Sequence, residues 1–285
     1  MTRYEALWAY CHAEGKSCVC WKMQKEMEEE DVIFDTHAHY DDEAYEEDRE
    51  DILKLIRQEG VGLVTDVGAT IASTKKAVAL SEQYDFIYAA IGVHPEGVEE
   101  LTAQDMDWLC ELAKKKKVVA IGEIGLDYYY EDPKRDIQKI WFRKQLEVAR
   151  KTGLPVVIHS RDAAQDTLDI IKEEHGEQIG GVIHCFSYGK EMAQVYLDMG
   201  FYLGIGGVVT FKNGKKLKEV VKCTPIERIV LETDAPYLTP EPNRGKRNAS
   251  HYLKYVAQEI AQLKGMTAKE VIAVTTKNAK EMYRI

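Results

Sequence analysis

Val32-Ile33-Phe34-Asp35-Thr36-His37-Ala38-His39 starts as an apolar run and ends in two histidines one residue apart. Alternate side chains of a strand share a face, so His37 and His39 point the same way and could hold one metal ion together. Seven further short apolar runs follow, Val61–Val67, Phe86–Val93, Val118–Ile121, Pro155–Ile158, Gly181–Ile183, Phe201–Ile205 and Arg228–Leu231. Amphipathic stretches separate them, such as Asp48–Gln58, with Ile52, Leu55 and Ile56 on one face, and Arg135–Lys151. Thr102 starts a helix as a capping-box residue, and Gly153 with Pro155 closes another. Eight strand–helix units predict parallel pairing through right-handed crossovers, and residues 32–285 match the roughly 250 residues of a (β/α)₈ TIM barrel. A doubly wound open sheet satisfies the same alternation, and periodicity alone does not separate the two.

A barrel places its active site at the C-terminal ends of its strands, and there the polar residues fall. The first strand ends in His37 and His39, the fourth in Glu123, the fifth in His159, the sixth in His184 and the eighth in Asp234. A lone strand-end histidine is most often structural, but four with two carboxylates match the ligand count of a two-metal hydrolase. Glu123 has two oxygens and is the natural bridge, with His37, His39 and Asp234 on one ion and His159 and His184 on the other. Asp234 could also take the proton from a metal-activated water, which makes Asp234 and Glu123 the catalytic pair. Imidazole and carboxylate admit Mg, Mn, Zn, Ni or Fe as the two divalent ions. Cys185, next to His184, is expected to face away.

The composition bounds the function. With 285 residues, 45% of them hydrophobic and 30% charged, the chain is globular. A net charge of −10 and a pI near 5.4 argue against gripping nucleic acid with the whole surface, but allow a local basic or metal-loaded cleft. No apolar run reaches the length of a membrane helix and the first residues lack a signal peptide's apolar core, so a cytoplasmic protein is expected, monomeric and with reduced thiols. Residues 1–31 form a separate extension. Tyr4, Leu7, Trp8 and Cys11 have helical spacing, which predicts a helix packed on the barrel or on a partner. Cys11, His12, Cys18 and Cys20 lack the paired spacing of zinc knuckles. No linker divides residues 32–285, which are read as one domain.

Six segments carry a family resemblance: Phe34-Asp35-Thr36-His37-Ala38-His39, Ile91-Gly92-Val93-His94-Pro95, Gly122-Glu123-Ile124-Gly125-Leu126-Asp127-Tyr128, His159-Ser160-Arg161, His184-Cys185-Phe186-Ser187 and Glu232-Thr233-Asp234-Ala235-Pro236-Tyr237-Leu238. In that order the chain resembles the TatD metal-dependent deoxyribonucleases of the amidohydrolase-like superfamily, over nearly all of residues 32–285. The resemblance implies the barrel, divalent metals on His37, His39, Glu123, His159, His184 and Asp234, and phosphodiester hydrolysis, typically as a 3′-to-5′ exonuclease on single-stranded DNA. The extension departs from the family, whose members usually begin close to the first strand.

Substrate contacts are read from the residues beside the ligands. Arg161 shares a side with His159 and could fork onto a phosphate or pair with Glu232 or Asp35. Tyr128, Tyr129, Tyr130, Phe186 and Tyr188 offer faces for a splayed base, or serve as packing. His94 could contact a phosphate or leaving group, or support a ligand. Arg244 sits in a basic loop after the eighth strand, and Lys212, Lys215, Lys216 and Lys218 follow the seventh. Asp35 and Glu232 share strand parity with His37 and Asp234 and are expected to orient imidazoles or Arg161. DNA is the expected partner, while the alternative keeps the barrel and metals for a small amide, lactone or ester.

Overall fold

The computed structural model describes residues 32–285. A strand begins within each expected run: β1 Ile33–Ala38, β2 Val61–Val67, β3 Ile87–Ile91, β4 Val118–Asp127, β5 Val156–Arg161, β6 Gly181–Ile183, β7 Tyr202–Ile205 and β8 Ile229–Leu231. They form one sheet in chain order with parallel neighbours throughout. A parallel bridge between Ala38 and Ala235, with the His39 amide donating to the Ala235 carbonyl at 2.8 Å, brings β1 against the end of β8. The architecture is the (β/α)₈ barrel, not the open sheet. The expected N-terminal helix and Cys11, His12, Cys18 and Cys20 lie outside the described residues.

The crossover helices form where amphipathic spacing and caps coincide. Asp48 is the N-cap of the helix Arg49–Gln58, and Gly153, at φ 71°, ends Arg135–Thr152 in the left-handed conformation. Asp105 accepts from both the amide and the hydroxyl of Thr102, each at 2.7 Å, and fixes the start of Ala103–Leu112. Helices cover the barrel, so the strands bury both faces and read as continuous apolar runs.

The barrel's two ends differ in chemistry. Phe34, Ala90, Val157, Val182 and Val230, one from each of five strands, pack with Ala279, Met282 and Tyr283 of the last helix, Ala268–Tyr283. The Tyr283 hydroxyl donates to the Thr36 carbonyl at 2.7 Å. This apolar packing leaves the polar side chains to the C-terminal end.

β4 runs ten residues, well past the expected Ile121. Gly122 and Gly125, which look like a strand break, instead allow close approach to β5. A Cβ on Gly125, whose φ is +147°, would lie 1.9 Å from the His159 carbonyl oxygen. Continuing the strand carries Glu123 and Asp127 to the mouth as buried carboxylates.

Candidate active site

β1, β4, β5, β6 and the turn after β8 converge on one cavity of about 560 Å³, lined by His39, Glu123, His159, His184 and Asp234 among others. His37 Nε2 and His39 Nε2 are 3.1 Å apart, and Asp234 Oδ1 lies 3.8 Å from the first and 3.5 Å from the second. Donors about 2.0–2.2 Å from a tetrahedral ion lie about 3.4 Å from one another, so the three atoms fit around a single cation. Two imidazole nitrogens facing each other at this distance cannot both present a lone pair without a proton or a cation between them. Asp234 reaches this position from a φ of 57°, in the left-handed region.

Glu123 divides its carboxylate between two histidine groups. Oε2 lies 3.5 Å from His37 Nε2 and 3.9 Å from His39 Nε2, while Oε1 lies 2.7 Å from His159 Nδ1, 3.7 Å from His184 Nε2 and 3.9 Å from His94 Nε2. The ligand atoms of His37, His39 and Asp234, and those of Glu123, His159 and His184, each lie within 4.8 Å of one another. Those are the two sets expected from the strand ends. Burial opposes charge here, and the mutual attraction of the groups overrides it. Asp234 and Glu123 raise His39 to about 10. Asp127 and Glu123 raise His159 to about 9, and Glu232 with Glu123 raises His184 to about 9. Glu123 is held well below the usual carboxylate range, chiefly by His184 and with a hydrogen bond from His159, again against burial. Such an assembly demands compensating positive charge, and its donor chemistry is that of a divalent-metal centre.

A model of the family described as "TatD related DNase" matches residues 34–284. The chain belongs to the TatD family. It is 48% identical over 254 residues to YabD of Bacillus subtilis, an uncharacterized metal-dependent hydrolase, covering 89% of this chain and 100% of that relative. YcfH of Escherichia coli K12, also an uncharacterized metal-dependent hydrolase, is 36% identical over 256 residues, 89% of this chain and 96% of the relative. The crystal structure of YjjV, a TatD homologue of the same organism, superposes with a TM-score of 0.84 at 29% identity, over 90% of this chain and 99% of that one. The chain is a metal-dependent hydrolase.

Around this TatD centre several residues depart from expectation. Asp127, absent from the expected site residues, lies 3.0 Å from His159 Nε2 and turns Nδ1 toward Glu123. Its signal was its position four residues beyond Glu123 on the same strand. Glu232 lies against an imidazole, with Oε2 3.1 Å from His184 Nδ1, and Oε1 accepts from the Cys185 amide at 2.6 Å. Asp35 orients neither an imidazole nor Arg161. It accepts from the amide and hydroxyl of Thr233, at 3.0 and 2.6 Å, and from the Ser250 hydroxyl at 2.6 Å. The β1–β2 register shifts between Asp35 and Ala38, so strand parity does not carry across that step. Cys185 also escapes alternation. At φ 44° it turns its thiol to within 4.8 Å of ligand atoms of His184 and Asp234 instead of away, and burial pushes that thiol well above its ordinary value.

Arg161 lines the cavity, with its guanidinium 3.7 Å from the Tyr129 ring centroid and 3.9 Å from Asp127, not on Glu232 or Asp35. His94 lines it too. Its Nδ1 accepts from the Glu96 amide at 3.2 Å, which places the proton of the neutral ring on Nε2, toward the site. Burial, with His159 nearby, lowers His94 to about 3 and keeps it neutral. Tyr128 does not line the cavity: its hydroxyl donates to Asp166 at 2.6 Å and Arg135 lies over its ring, leaving Tyr130 on the wall. Arg244 is also absent from the wall and packs over Phe211, 4.2 Å from the ring centroid. Among the described residues no helix is long and apolar enough to cross a membrane.

Proposed function

We propose that the chain hydrolyses phosphodiester bonds at the 3′ end of single-stranded DNA, at a centre holding two divalent ions. The observation that carries this reading is the split of Glu123, one oxygen toward His37 and His39 and the other toward His159 and His184. His37, His39 and Asp234 would hold one ion and His159 and His184 the other, with Glu123 shared. Bound there, the ions supply Lewis acidity to the phosphate and acidify a water molecule.

The chain's own groups do the rest. Asp234, held below the usual carboxylate range by His39, His184 and His37 despite burial, takes the proton of the attacking water at a carboxylate oxygen. The water oxygen joins phosphorus as the bond to the 3′ oxygen of the preceding nucleotide breaks; that oxygen takes up a proton from solvent, and Asp234 returns to solvent the one it took. His94 Nε2–H donates to a phosphate oxygen, and Arg161 offers its fork to a phosphate of the strand. Among the described residues Arg161 is the one arginine or lysine on the cavity wall, which suits a polyanion better than a neutral amide or lactone.

A substrate panel tests the reading: 5′-labelled single-stranded DNA, duplex DNA, RNA and a set of small amides, lactones and esters, each with Mn²⁺-loaded protein. Stepwise shortening of single-stranded DNA from its 3′ end is expected. Turnover of a small ester or amide with DNA left intact overturns it.

A further inference from the structure

Six large hydrophobic side chains stand exposed among the described residues, and three of them, Tyr129, Tyr130 and Tyr237, are at this mouth. Tyr130 and Tyr237 line the cavity, each about half exposed, and Tyr129 lies against Arg161. Aromatic surface left in water beside a ligand-bearing cavity has the character of a binding platform. Tyr130 follows β4 and Tyr237 follows β8, and in a barrel ordered β1 to β8 these strands are diametrically opposed. The carboxylates and imidazoles lie between them. Two rings on opposite sides of a barrel mouth cannot sandwich one base, because each face needs its partner within about 4 Å. They suit two successive bases, with the phosphate that links them over the centre.

Charge gives the pair a direction. Beside Tyr130 stands Arg161, its guanidinium carbon 5.8 Å from the ring centroid. Beside Tyr237 stand acids: its hydroxyl donates to Asp42 at 3.3 Å, Asp41 and Asp42 share the cavity wall, and Glu43, Glu46 and Glu47 border the adjoining hollow, where the guanidinium of Arg247 is taken up by Asp48. A further phosphate is met by a cation on the first side and repelled on the second.

Resting on the DNA-end reading above, we propose that Tyr237 seats the base of the 3′-terminal nucleotide, that Tyr130 seats the base before it, and that Arg161 meets the phosphate 5′ to that second nucleotide. The acidic margin beyond Tyr237 then restricts the site to chain ends, where no further phosphate follows.

The test measures kcat/KM on three 5′-labelled single-stranded oligonucleotides: intact, abasic at the 3′-terminal position, and abasic at the penultimate one. Wild type is compared with Tyr237→Ala, Tyr130→Ala and the corresponding phenylalanine variants. On the intact strand each alanine is expected to cost about 5- to 150-fold, the worth of one base–aromatic stack. Tyr237→Ala should cost nothing further on the terminally abasic strand, and Tyr130→Ala nothing further on the penultimately abasic one. The crossed combinations should multiply, phenylalanine should restore the rate, and a closed single-stranded circle should stay intact. Equal losses on all three strands, the opposite pairing of tyrosine with position, or cleavage of the circle overturns the placement alone. Wild type that shortens none of the linear strands overturns the DNA-end reading and the placement with it.

Discussion

Asp127 Oδ2 lies 3.0 Å from Nε2 of His159, and the other nitrogen of that ring lies 2.7 Å from Glu123. The contact fixes which nitrogen faces the centre, the orienting role that outer carboxylates commonly have around metal-ligating histidines. Asp127→Asn is therefore expected to weaken binding of one of two Mn²⁺ equivalents by about 10- to 100-fold while the other is retained. Calorimetric titration of metal-free protein checks this, and two unchanged affinities would remove Asp127 from that role.

Asp234 is assigned both metal ligation and proton acceptance. Asp234→Asn keeps an oxygen in place but removes the basicity, so kcat should fall by about 10²–10⁴ while KM changes much less. Metal content measured on the same sample separates loss of the base from loss of an ion. Near-normal turnover with both ions retained would exclude Asp234 as the base.

Arg161→Ala removes the one arginine that the described residues place on the cavity wall, and none of the candidate metal ligands. It should weaken oligonucleotide binding and flatten its dependence on salt, with metal content unchanged. Arg244→Ala should have the smaller effect, because Arg244 packs over Phe211 away from that wall. Fluorescence anisotropy across a salt series reads both, and an unchanged slope for Arg161→Ala would count against the phosphate contact.

His39, raised to about 10, and His159 and His184, each raised to about 9, carry protons at neutral pH when no cation competes. A metal ligand must be deprotonated, so binding releases protons and affinity rises with pH. Titration calorimetry in two buffers of different ionisation enthalpy should show proton release at pH 7, and an apparent Kd for Mn²⁺ that falls between pH 6 and pH 8. A pH-independent Kd would contradict protonation of these three imidazoles in the metal-free protein.

The clustering of the six candidate ligands was legible because a barrel brings the C-terminal ends of its strands to one place, so residues far apart in the chain could be grouped before any geometry was known. Strand parity served well at His37 and His39, whose nitrogens do share one point. It failed where the backbone is irregular, at the register shift after Asp35 and at the left-handed Cys185. Asp127 went unassigned because Gly122 and Gly125 hid the continuation of β4, their need being close packing against β5. Among the three consecutive tyrosines, only the fold shows that Tyr128 is tied to Asp166 and that Tyr130 meets the cavity.

The proposed centre requires that two ions share Glu123. Crystals grown with Mn²⁺ test it through anomalous difference maps. The expected result is two peaks about 3.5–4 Å apart, one against His37, His39 and Asp234, the other against His159 and His184, with the Glu123 carboxylate between them. A single peak at saturating Mn²⁺, or two peaks that do not share Glu123, would contradict it.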